Sequence, residues 1–80
     1  MNAPGEQWPR VDCIVDETAD HRSYRVRHAP SGMVILVARQ RVEDELKESI
    51  DHVPSTPSLD ERRRAIAVRF AWEEATGERA

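Results

Sequence analysis

The chain has 80 residues, 39 % of them apolar and 34 % charged, and a formal net charge of −3. That length holds one small domain, the apolar share excludes wholesale disorder, and no apolar run approaches the ~18 residues of a membrane span. No basic stretch followed by an apolar block opens the chain and Cys13 is the sole cysteine, a pattern that points to the cytoplasm; eleven of the twelve basic residues are Arg, a bias associated with GC-rich bacterial coding sequence.

Residues 1–9 read as a flexible N-terminal tail, 10–77 as a single α+β domain and 78–80 as a C-terminal tail. Trp8-Pro9 closes the first tail, and an indole beside a Pro suits an anchor that clamps the tail to the domain. Val11, Cys13 and Val15 alternate with Asp12, the period of a first strand, and the polar stretch 16–20 turns the chain. In the second strand, His21 to His28, Tyr24 and Val26 alternate with Arg25 and Arg27, so one face is apolar and the other charged.

Ala29-Pro30-Ser31-Gly32 supplies a Pro for the fixed φ of a turn and a Gly for positive φ, which makes a hairpin. The third strand is Met33 to Ala38, six consecutive apolar residues rich in β-branched side chains. A three-residue loop sets Ala29 opposite Met33, Val26 opposite Leu36 and Tyr24 opposite Ala38. Under that register Tyr24, Val26, Val34, Leu36 and Ala38 form the core face. Arg25, Arg27, Met33, Ile35, Val37 and Arg39 form the other. In a simple meander the third strand is an edge, and an uncharged apolar edge invites pairing with a second chain.

Val42, Leu46, Ile50 and Val53 recur at helical spacing, predicting a helix over 41–53 with weak four-apart pairs Glu43–Lys47 and Arg41–Glu45. Pro54-Ser55-Thr56-Pro57 breaks it. Ser58-Leu59-Asp60-Glu61 matches a capping box and opens a second helix over 59–76, with Gly77 suited to the cap beyond its end. On this helix Leu59, Ile66 and Phe70 fall on one line, while Ala65, Val68, Trp72 and Ala75 cluster on the opposite side. A helix apolar on two sides needs two covers, the sheet on one side and on the other either the first helix of the same chain or the matching helix of a second chain, so Trp72 is expected at an interface within or between chains. The fold class is therefore α+β: a small antiparallel sheet of two to three strands, including the hairpin 21–40, with two helices packed on it.

Charge is segregated along the chain. His21 to Arg41 holds five arginines and no acid, whereas Val42 to Glu61 holds seven acids and one lysine. The simplest reading is that the acidic helix lies near the basic hairpin and the two fields partly cancel. Arg62-Arg63-Arg64 stands at the positive end of the second helix, where the dipole disfavours cations, with Asp60 and Glu73 four residues from Arg64 and Arg69.

Chemistry-bearing patterns are absent from the sequence. Cys13 has no CxxC partner, and His21, His28 and His52 are not at metal-ligand spacing. The three glycines form no phosphate-cradling loop. No catalytic, cofactor-binding or metal-binding residues are assigned, and an enzyme is not expected. Two functions remain. The first is a small non-enzymatic interaction or regulatory protein, homodimeric and with a protein partner, whose candidate interface is Ile35, Val37, Val68 and Trp72. The second, ranked lower, is a nucleic-acid binder that meets phosphates with Arg25, Arg27, Arg39, Arg62 and Arg63. A strand followed by two helices resembles the layout of ribbon-helix-helix repressors, whose strands offer polar side chains to the major groove. Met33 to Ala38 offers none, and a hairpin precedes the helices here.

Overall fold

A computed structural model describes residues 7–49 and 58–77. After a single 3-10 turn at Arg10–Asp12 come β1 (Cys13–Glu17), β2 (Ser23–His28), β3 (Met33–Ala38), α1 (Arg39–Ser49) and α2 (Leu59–Thr76). The strands form one antiparallel meander in the order β1-β2-β3, and both helices pack on the same sheet. The domain is thus α+β, a three-stranded sheet followed by two helices. The expected continuation of the first helix through 50–53 and most of the tail before Trp8 lie outside the described residues.

The bounds of β3 and α2 coincide with those expected from the sequence, for identifiable reasons. The Ser58 hydroxyl accepts the Glu61 amide at 3.2 Å, capping α2. The Glu61 carboxylate does not complete a capping box; it pairs with Arg10 at 2.9 Å instead. At the other end Gly77 takes the left-handed conformation, φ 76°, and its amide reaches the Glu73 carbonyl at 2.8 Å.

The hairpin register corrects the sequence reading by one residue. His28 pairs with Met33, Val26 with Ile35 and Tyr24 with Val37, leaving a four-residue loop, Ala29 to Gly32. Gly32, at φ 76°, donates its amide to the His28 carbonyl at 2.8 Å, and the Ser31 hydroxyl is held by both His28 and the Met33 amide. Because side chains alternate with period two, this slip exchanges the faces of β3 completely. Val37 is 1 % exposed and Ile35 packs against the core, while Val34 and Leu36, expected inside, are 49 % and 59 % exposed.

Strand β1 also begins later than expected. The turn at Arg10–Asp12 throws Val11 outward, and only Cys13 and Val15 of the alternating trio are buried. The strand runs on through Glu17, so the turn falls at 18–22, where Thr18 and Asp20 bind each other and His21 adopts φ 59°.

The core therefore joins Cys13, Val15, Tyr24, Val26 and Val37 of the sheet to Val42 of α1 and to Ala67, Val68, Phe70 and Ala71 of α2. Ala67 and Ala71 are fully buried, and their small side chains let α2 lie close to the strands. The two stripes expected on α2 are redrawn: Leu59 and Ala65 are exposed, and Ala67 and Ala71 fill the space between the lines drawn through Phe70 and Val68. Trp72 is 6 % exposed within the single chain. Trp8 does anchor the segment before β1: its ring stacks on His28, centroids 4.2 Å apart and 4° from parallel, and packs against the core.

Two measurements test this packing. Val37→Ala is expected to cost roughly 1–3 kcal/mol in urea unfolding, and Leu36→Ala under about 0.5 kcal/mol; equal losses would restore the other register. Burial raises the pKa of the Cys13 thiol above its ordinary value, so a thiol reagent is expected to label it at neutral pH only once denaturant opens the fold.

Candidate functional site

The structure divides the arginines into those consumed by the fold and those left on a surface. The first group links the two helices. Arg63 pairs with Glu43 at 2.8 Å, Arg69 with Glu45 at 3.2 Å, and Arg41 reaches Glu73 at 3.7 Å and Glu74 at 3.5 Å. Arg41 and Arg69 also lie over the buried Phe70 ring, at 4.1 and 4.9 Å from its centroid. The acidic helix is thus neutralised by α2 rather than by the hairpin, and Glu43 and Glu45 face across to α2 instead of pairing along α1 as the sequence suggested. The pairs Asp60–Arg64 and Arg69–Glu73 form as expected, at 3.0 and 3.8 Å.

A second set holds the outer edge of β1. In an antiparallel sheet each residue turns both backbone groups toward one neighbour, and successive residues alternate. Asp12 and Thr18 bond to β2, so Cys13 and Val15 direct their carbonyls away from the sheet. Arg10 donates to the Cys13 carbonyl at 2.9 Å, and Arg64 donates to that of Val15. Arg10 is held in turn by Glu61, and Arg64 by Asp60. The guanidinium fork, with five donors, suits this task, since it donates to a carboxylate on one side and to a backbone carbonyl on the other.

Of the five arginines singled out as anion contacts, three are therefore engaged. Arg39 binds Glu17 at 3.1 Å and the His21 carbonyl at 3.3 Å, Arg63 binds Glu43, and Arg62 is buried. They do not form one basic surface with Arg25 and Arg27. Of the four candidate interface residues, Val37, Val68 and Trp72 are buried by their own chain, and Ile35 is partly buried against the core.

What is left is the sheet face opposite the helices. Register alignment puts Ile14, Arg27 and Val34 in one row across the three strands and Asp16, Arg25 and Leu36 in the next. Ile14, Val34 and Leu36 are each about half exposed or more. Arg25 and Arg27 are exposed and have no ion pair among the described residues. A depression of about 190 Å³ lies over Ile14, Asp16, Arg25, Arg27 and Val34. Sequence reasoning found the two arginines but assigned Val34 and Leu36 to the core. Only the loop length separates the two registers, because β3 is apolar at every position.

Comparisons with protein-family models, with curated proteins and with solved structures gave no match. No described helix is long and apolar enough to cross a membrane.

The interhelical pairs are half-buried, so their coupling should be measurable. A double-mutant cycle on Arg63→Ala and Glu43→Gln is expected to give a coupling on the order of 0.5–1 kcal/mol that shrinks with added salt. A coupling of zero would show that the ion pair merely fills space between the helices.

Proposed function

We propose that this chain is a small non-enzymatic interaction module, homodimeric, that receives another protein on the open face of its sheet. One observation carries the reading: the helices cover a single face, and the other holds Ile14, Val34 and Leu36 around Arg25 and Arg27. Aliphatic side chains that stay half in water gain from being covered, and the two guanidinium groups, which form no ion pair among the described residues although Asp16 lies opposite Arg25, are available to an acid from outside. The complementary partner surface carries carboxylates interleaved with aliphatic side chains. Arg stems lying along apolar neighbours suit such a contact, since the methylenes pack while the charged head reaches the acid. The lone buried Cys13 fits a reducing, cytoplasmic setting.

The nucleic-acid alternative is weaker on the same geometry. Two clear arginines neutralise few phosphates, and among the described residues no aromatic side chain stands on the open face to stack on a base.

The reading is tested by comparing the wild type with Arg25→Glu/Arg27→Glu in affinity isolation from the source cell, followed by titration of the purified protein partner. The expected result is a protein whose binding weakens by about tenfold or more in the double variant, consistent with two charge-assisted contacts. Random duplex DNA should not bind the wild type at low salt. Steeply salt-dependent DNA binding that disappears in Arg25→Ala/Arg27→Ala would replace this function with the nucleic-acid one.

A further inference from the structure

The two edges of the sheet are treated differently by the chain. At β1, the carbonyls of Cys13 and Val15 that point away from the sheet are taken up by Arg10 and Arg64, and the Cys13 amide bonds back to Arg10. At β3 the bond from the Arg39 amide to the Arg22 carbonyl fixes the alternation: residues 33, 35, 37 and 39 face β2, so Val34 and Leu36 turn both N–H and C=O outward. Neither residue has a backbone or side-chain partner on that side among the described residues, and both side chains are exposed. Edges are usually protected by a lysine, a proline, an inward charge or a bulge. Residues Met33 to Ala38 contain none of these, and the strand pairs with β2 without interruption.

We propose that β3 pairs antiparallel with β3 of a second copy, joining two meanders into one six-stranded sheet. This interface rests on the homodimeric reading above and names its surface. For two copies, edge pairing is favoured over stacking of open face on open face by charge placement. Stacked sheets lie about 10 Å apart, which would bring the arginines of both copies into the same layer. Edge pairing separates the two β2 strands by three strand spacings, roughly 14 Å, beyond the ~8–10 Å screening length of ordinary salt. It also sets Val34 and Leu36 of each copy beside those of the other. The twofold axis imposes no like-charge contact at the seam, because the strand carries no charge. The open face survives intact and doubled, with an aliphatic centre flanked by an arginine row on either side.

The test uses the full chain. Sedimentation equilibrium should give twice the single-chain mass of 9.2 kDa, and the Val34 and Leu36 amides should exchange about tenfold or more slowly as concentration carries the protein from monomer to dimer. Leu36→Pro, which removes an outward amide that β2 does not use, should remain folded by circular dichroism and sediment as a monomer. A wild-type dimer in which those two amides exchange at an unchanged rate overturns the β3 interface and leaves homodimerisation through another surface. A monomer at every concentration overturns the interface and the homodimeric reading together. The exchange measurement is made on the wild type, so it decides the matter even if the proline variant does not fold.

Discussion

The structure depends on the four residues between His28 and Met33. Strand β2 has an unambiguous inner face, because Tyr24 and Val26 are buried and Arg25 and Arg27 are exposed. Strand β3 has no such asymmetry of its own: Val34 and Leu36 are as apolar as Ile35 and Val37. The loop alone therefore decides which pair enters the core. Gly32 at positive φ, and a Ser31 hydroxyl held between the His28 ring and the Met33 amide, fix the loop at four residues. Everything on the open face follows from that choice, including which backbone groups of β3 are left without a neighbour.

The arginines form the second layer of organisation. A chain this short buries only a modest core, and ion pairs at the rim of that core add to the contacts between its elements. Arg63, Arg69 and Arg41 tie the helices together, and Arg10 and Arg64 tie the edge of β1 to α2. Each exposed pair contributes little alone, but the pairs are connected: Glu73 is shared by Arg41 and Arg69, and both guanidinium groups rest on Phe70. Basic residues at the start of α2, unfavourable for the helix dipole, are retained because Arg63 and Arg64 reach partners outside their own helix. A local violation of helix electrostatics here coincides with tertiary bonding by Arg63 and Arg64.

Much of this fold was legible in the sequence, and the parts that were not share one cause. Ser58 and Gly77 announce the ends of α2 because capping is local chemistry, read from the residues at the cap. The run Met33 to Ala38 gives β3 its bounds because six β-prone residues stand between turn and polar residues. The register rests on one residue of loop length, the outward turn of Val11 on a single 3-10 turn, and the partners of Glu43 and Glu45 on where α2 lies. None of these is reported by the periodicity within a segment. Trp72 illustrates the same gap: the helix pattern showed correctly that α2 is apolar on more than one side, but could not show that the indole leaves water within a single chain. For the candidate site, the arginines of β2 were legible and their aliphatic neighbours were not, since the latter required the register.

The unequal edges of the sheet give the fold a direction. Protecting β1 consumes two arginines, each with its own acid, and orders the residues just before the strand; such an arrangement stabilises the monomer at the cost of side-chain entropy. Among the described residues nothing comparable is spent on β3, although its outward amides and carbonyls are the same groups. A chain with so small a core has little reason to leave that side open if the monomer is the working state, because hydration of a flat apolar edge gains nothing that a single lysine would not supply. Extending the sheet across that edge adds hydrogen bonds and covers aliphatic surface while leaving the paired arginines of β2 facing water. In the proposed assembly, self-association would draw on the backbone of β3 and partner binding on the side chains of the open face, with Val34 and Leu36 standing where the two surfaces meet.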